Sequence, residues 1–133
     1  MFVHVETHAD SLYDRVGGQP FFDALVERFY AGVESDPLLR PLYPADLTEP
    51  RRHLALFLGQ YWGGPHTYSD ERGHPRLRMR HFRFRIGQPE RDAWLGHMRA
   101  AVVGSAAAPD DTNALLAYFE SAASSLMNVS PRP

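Results

Sequence analysis

Cysteine is absent from all 133 residues. That removes thiolate nucleophiles, disulfides, iron–sulfur clusters, Cys-based zinc sites and covalent c-type haem attachment. Lysine is absent as well, since all 14 basic residues are arginine, so neither a Schiff base nor a P-loop lysine is available. The GxSxG, HExxH, GxGxxG and EF-hand patterns do not occur. No apolar run approaches the roughly 18–20 residues of a membrane span, because Arg, Asp, Glu or His interrupts each one. The leading MFVHVETHAD has no basic head and no long apolar stretch. A secretory signal is therefore not expected, and the cytosol is the expected compartment. The net charge of −2 gives no overall polycation to seek nucleic acid. His, Tyr, Trp and carboxylates remain for chemistry, or a cofactor that brings its own.

What is present reads as one domain of ordinary length, 44% hydrophobic and 23% charged. Phe21, Phe22, Leu25, Val26, Phe29, Tyr30 and Val33 recur at helical steps behind Gly17-Gly18 and Pro20. Asp36-Pro37 reads as the start of a short helix, PLLRPLY. A second stripe, Leu54, Phe57, Leu58, Tyr61 and Trp62, stops at Gly63-Gly64-Pro65. Residues 65–73 read as polar loop, and HPRLRMRH as a segment too short and charged to be a helix alone. Gln88-Pro89-Glu90 opens a helix carrying Trp94, Leu95, Met98, Ala101 and Val102. The last helix follows GSAAAPDDTN, with Asp110 or Asp111 as its expected cap, and places Leu115, Leu116, Phe119, Ala122, Ala123, Leu126 and Met127 inward. Only Val3 and Val5 hint at strand alternation. The expectation is an all-α domain of four long helices and several short ones.

Four polar residues sit awkwardly for a plain helical core. Tyr30 lies on an apolar stripe, where an unpartnered hydroxyl costs about 1–3 kcal/mol. Tyr43 precedes Pro44, Trp94 carries a donor-only indole, and His81 lies four residues after Leu77 on one face. Taken singly, each has an ordinary structural reading: a satisfied buried phenol, a core tryptophan, an exposed histidine. The arginines at 72, 76, 78, 80, 83, 85 and 91 put seven cations into twenty residues. They read as a solvated face or as a site for a compact dianion such as a haem's two propionates, rather than for nucleic acid. His4 and His8 have i, i+4 metal-chelating spacing, set against the simpler reading of an untethered tail.

The run YWGGPHTYSDERGHPRLRMRHFRFRI at 61–86, ERDAWL at 90–95, RFYAGV at 28–33 and PLLRPLYP at 37–44 together resemble the group II truncated haemoglobins. The resemblance covers residues 11–130 and leaves 1–10 as an N-terminal extension. It implies a two-over-two helical sandwich around one non-covalent haem b. His81 matches the proximal iron ligand, its second ring nitrogen turned to a backbone carbonyl. Tyr30, Tyr43 and Trp94 match the distal donors. Leu54 and Phe57 match pocket-lining positions, Phe82 and Phe84 the proximal flank, and Arg80 and Tyr68 the propionate contacts. Pro50 departs from the small residue usual at the distal gate, and the connection from Pro44 to Pro50 is one residue short.

The resemblance implies binding of dioxygen and other diatomic ligands, with nitric-oxide dioxygenation or peroxidase-like chemistry fed by an outside reductase. The competing readings are a haem-based sensor or carrier read by a partner, and a haem-free helical interaction module. The sequence leaves self-association into a homodimer open.

Overall fold

Glycine at positive φ sets the first corner of the chain: Gly17 (φ +99°) and Gly18 (φ +83°) turn the backbone where an L side chain would be strained. In the computed structural model, which describes residues 11–81 and 84–129 apart from the Arg78 side chain, this corner separates α1 (Leu12–Arg15) from α2 (Gln19–Glu34). Pro20 stands in the first turn of α2, where a missing N–H loses no bond. A 3-10 turn (Arg40–Leu42) leads to α3 (Thr48–Tyr61), and Gly63 (φ +113°) closes the second corner. The two corners are tied together by Tyr13 N–H donating to Trp62 O at 3.0 Å. Then come α4 (Thr67–Arg72), α5 (Leu77–His81), α6 (Gln88–Val103) and α7 (Pro109–Ser125). The expectations for Val3 and Val5, His4 and His8, Phe82 and residue 130 lie outside the described residues.

α2 packs along α3, α6 packs along α7, and α2 crosses onto α6. That is a two-over-two helical sandwich. Its centre is α2, whose Phe22, Leu25, Phe29 and Val33 are fully buried against Leu58 of α3, Met98 of α6 and Leu115 and Phe119 of α7. Each such side chain contributes about 1.5–3 kcal/mol on burial. Polar ties reinforce the layers at their edges. Arg28 Nε donates to Ala101 O at 3.1 Å, joining α2 to α6.

Three expectations are corrected. Residues 67–72 form a helix rather than loop: Tyr68 is buried, and the Gln60 side-chain oxygen accepts from Ser69 N–H at 2.9 Å to fix its first turn. Neither Asp110 nor Asp111 caps α7, because Pro109 begins the helix earlier. Asp111 instead accepts from Arg15 Nη2 at 2.9 Å, joining α7 to α1. Tyr61, placed on the inward stripe, is 53% exposed, its ring lying 4.3 Å from that of Tyr118. The HPRLRMRH segment does carry one helical turn, α5, supported by its neighbours rather than by its own length.

Candidate functional site

The two helical layers enclose a cavity of about 230 Å³ that reaches the surface. α3 lines one wall with Pro50, His53, Leu54, Phe57 and Leu58, a three- and four-residue spacing that keeps them on one face. Pro50 stands in the first turn of α3, where its missing N–H loses no helical bond, and Asp46 accepts from Thr48 N–H at 2.9 Å just before it. Phe119 and Ala122 of α7, with Leu126 at its C-cap, supply further apolar wall.

Tyr30, Tyr43 and Trp94 reach this cavity from three separate segments: α2, the end of the 3-10 turn, and α6. The Tyr30 and Tyr43 rings meet edge to face at 5.4 Å. Trp94 is wedged between Phe29 at 5.4 Å and Phe119 at 5.9 Å. Burial pushes the Tyr43 phenol up to about 12, and a hydrogen bond from Trp94 pulls the other way. Tyr30, 3% exposed, is raised further, by burial first and then by the nearness of Tyr43. Both phenols therefore stay protonated at neutral pH and can donate.

His81, at the end of α5, lines the same cavity. Its Nδ1 lies 2.7 Å from Leu77 O, the i, i+4 neighbour. A carbonyl can only accept, so Nδ1 carries the hydrogen, and in the neutral ring the lone pair is then on Nε2. Asn128 steadies the following backbone: its side chain donates to Phe84 O at 2.6 Å and accepts from Ile86 N–H at 2.8 Å.

The structure brings Leu54, Phe57, Tyr68, Arg80, His81, Tyr30, Tyr43 and Trp94 to one cavity. Phe84 is not among its lining residues, and Phe82 lies outside the described residues. The arginine run divides. Arg80 lines the cavity but donates to Pro75 O at 2.7 Å and Arg72 O at 3.2 Å, stapling the turn before α5. Arg91 faces elsewhere, toward Asp92, Glu120 and Ser124.

Sequence reasoning did not single out Arg72, His53 or Tyr118 as lining residues. Arg72 donates to the His53 ring at 3.1 Å and covers the Tyr68 ring at 5.9 Å. The His53 pKa is lowered, by desolvation first and then by the Arg72 charge, which suits a neutral acceptor. Spacing held part of this signal: Tyr68 and Arg72, like Tyr118, Ala122 and Leu126, stand four residues apart.

A flat, largely apolar group bearing acidic arms and a metal that needs one protein ligand fits this donor set. The walls are largely apolar, His81 is oriented by a backbone carbonyl while the other lining histidine, His53, is engaged by Arg72, and Arg72 and Arg80 stand at the lining. No cluster of three His, Cys, Asp or Glu that could hold a bare ion occurs among the described residues. An all-helical sandwich with such a pocket defines a haem protein of the globin class.

Residues 11–128 match the bacterial-like globin family. The group 2 truncated haemoglobin YjbI of Bacillus subtilis is 48% identical over 85 residues, 64% of this chain and just under two thirds, 64%, of that protein. A thermostable haemoglobin of the actinobacterium Thermobifida fusca is 52% identical, with a TM-score of 0.89 over 91% of this chain and 99% of that one. A truncated oxygen-avid haemoglobin of Bacillus subtilis is 39% identical, with a TM-score of 0.84 over 90% of this chain and 100% of that one. The chain belongs to the bacterial-like globin family, as a group II truncated haemoglobin. Its cofactor is haem b, and its general function is haem-based binding of diatomic ligands. Among the described residues no helix is long and apolar enough to cross a membrane.

Proposed function

We propose that this protein retains dioxygen tightly, with His81 as the protein ligand to haem iron and Tyr30, Tyr43 and Trp94 as donors to the gas. When bound, haem iron supplies reversible capture of diatomic ligands and one-electron exchange. The chain selects among those ligands. The observation that carries the reading is the convergence of three donors, Tyr30 buried and Tyr43 and Trp94 half-buried, and one carbonyl-locked histidine on a single cavity. Donors fixed in an apolar-walled pocket favour a ligand that gathers negative charge at its outer atom, as dioxygen does far more than carbon monoxide. The Trp94 indole can only donate, so the Tyr43 hydroxyl can give its own hydrogen to a ligand in the cavity. The Leu77 carbonyl holds the His81 ring in one orientation, with Nδ1 as the donor.

Tyr68, Arg72 and Arg80 are assigned to the acidic arms of the haem, with Arg80 also securing α5. Leu54 and Phe57 exclude water. The avidity for oxygen stated for the Bacillus subtilis relative supports the same reading here. On this reading, nitric-oxide dioxygenation and peroxidase-like turnover are further uses of the retained ligand in the cytosol, each needing electrons from an outside reductase. The test is the absorption spectrum of the haem-loaded protein in ferrous, oxygenated and carbon-monoxide forms. A stable oxygenated spectrum in air is expected. Immediate conversion to the ferric form, or no Soret band after haem addition, would overturn the proposal.

A further inference from the structure

α6 carries Trp94 and His97 three residues apart, on one face, and both meet the segment that ends in Tyr43. His97 Nε2 lies 2.7 Å from Asp36 Oδ2, with the two side chains 29% and 17% exposed. The other oxygen of Asp36 is occupied separately. Oδ1 accepts from Leu38 N–H at 2.9 Å and Leu39 N–H at 3.4 Å, while the Asp36 carbonyl accepts from Arg40 N–H at 2.8 Å. At the far end, the Arg40 guanidinium donates to the carbonyls of Tyr43, Pro44 and Ala45 at 3.3, 3.0 and 2.9 Å. The segment is thus laced within itself from Asp36 to Ala45. Buried Leu39 gives it an apolar anchor to the body, and Asp36–His97 gives it a polar one.

A third residue makes room for that anchor. A Cβ added to Gly32 would lie 2.4 Å from His97 Nδ1, so α2 admits the ring only because position 32 is glycine. Gly32 stands two residues after Tyr30. The imidazole therefore sits between the helix that carries one distal donor and the segment that carries another, on the helix that carries the third.

We infer that His97 and Asp36, with Gly32 as the socket, are positioning residues that set the place of the Tyr43 hydroxyl between Tyr30 and Trp94. This rests on the assignment of Tyr43 as a ligand donor. The pair touches neither cofactor nor gas; it acts through Tyr43 alone. Asp36 held in its charged form, by the His97 bond first and the Leu38 amide next, agrees with a standing link rather than a fleeting one. A half-shielded bond of this kind is stronger than an exposed ion pair.

The experiment measures dioxygen and carbon-monoxide dissociation by stopped-flow from the ferrous haem protein, with amide hydrogen exchange over residues 38–43. His97→Leu should speed dioxygen release about two- to tenfold, the equivalent of one hydrogen bond. It should change carbon-monoxide release little and accelerate exchange across the segment. His97→Gln keeps a donor and should restore most of both. Gly32→Ala, which displaces the ring, and Asp36→Asn, which keeps the Oδ1 cap, should act in the same direction and stand in if His97→Leu does not fold. In a Tyr43→Phe background, none of these changes should alter dioxygen release further. Equal effects in the two backgrounds would overturn the inference, as would wild-type dioxygen release from His97→Leu while Tyr43→Phe is fast. Wild-type release from Tyr43→Phe itself would sink the donor assignment and this inference together.

Discussion

Replacing Tyr43 and Trp94 together by phenylalanine removes two polar tips and leaves most of the surrounding apolar contact. The Tyr43 ring would keep its edge contact with Tyr30 at 5.4 Å, and residue 94 would still present a ring to Phe29 and Phe119. What is lost is the Tyr43 hydroxyl and the Trp94 indole N–H, both at the cavity. A hydrogen bond to a ligand bearing negative charge contributes about 1.5–3 kcal/mol, and each 1.4 kcal/mol is about tenfold in rate. Dioxygen dissociation should therefore rise about ten- to a hundredfold. Trp94→Phe alone should give less, because Tyr43 keeps its hydroxyl, and the two effects should not add. Carbon monoxide carries less charge and should leave at nearly its wild-type rate, which separates lost hydrogen bonding from a widened pocket. Stopped-flow displacement of dioxygen by carbon monoxide gives the first rate, and replacement of carbon monoxide by nitric oxide the second. Unchanged dioxygen release, with normal haem content, would mean that both residues serve packing alone.

Asp111→Ala should lower stability by about 1–2 kcal/mol, read as a drop of several degrees in the thermal midpoint, because it breaks the Arg15 link and removes a carboxylate from the first turn of α7. Arg72→Ala should speed haem transfer to an acceptor apoprotein about two- to fivefold at low salt and less at high salt, since its guanidinium is exposed. No change at low salt would remove it from the anion site. In acid, Asp36 and Asp46 have lowered pKa values, Asp36 through His97 and the Leu38 amide, Asp46 through Thr48. Their contribution is complete above the ordinary value of 3.8 and is lost as pH falls through the lowered values. Urea midpoints should hold between about pH 7 and 5 and decline below about 4. The double variant Asp36→Asn, Asp46→Asn should show a shallower decline.

α2 and α6 were legible because each pairs an apolar stripe with a local start signal, Pro20 behind two glycines and Pro89 followed by Glu90. By contrast, α3 and α7 were legible from their stripes alone, and the start of α7 at Pro109 was missed. Glu90 does take the Gly87 N–H at 2.8 Å. α4 was not legible, since six residues show too little periodicity and its order comes from Gln60, nine residues away. Tyr61 misled for a related reason. It continues the inward stripe of α3 but is the last residue of that helix, where it leans on Tyr118 instead of entering the core.

Tyr30, Tyr43 and Trp94 stood out as polar groups on apolar stripes, though their proposed role came from the resemblance, and the His81–Leu77 spacing foreshadowed the Nδ1 bond. Arg72 and His53 were hidden by the opposite property. Charged residues at the mouth of a pocket have the same pattern as a solvated helix face, and only the fold brings α3 and α4 close enough for the two to meet. The Asp36–His97 link spans 61 positions and leaves no periodic trace at all.

The central claim is that one histidine of seven holds the iron. The direct measurement is the ferrous, gas-free absorption spectrum of His81→Ala, loaded with haem and then titrated with imidazole. The cavity face of His81 and the Leu77 carbonyl bond predict loss of the five-coordinate histidine spectrum in the variant, and its return as imidazole fills the space left by the ring. A wild-type spectrum in His81→Ala without imidazole would contradict the account, because another residue would then be the ligand.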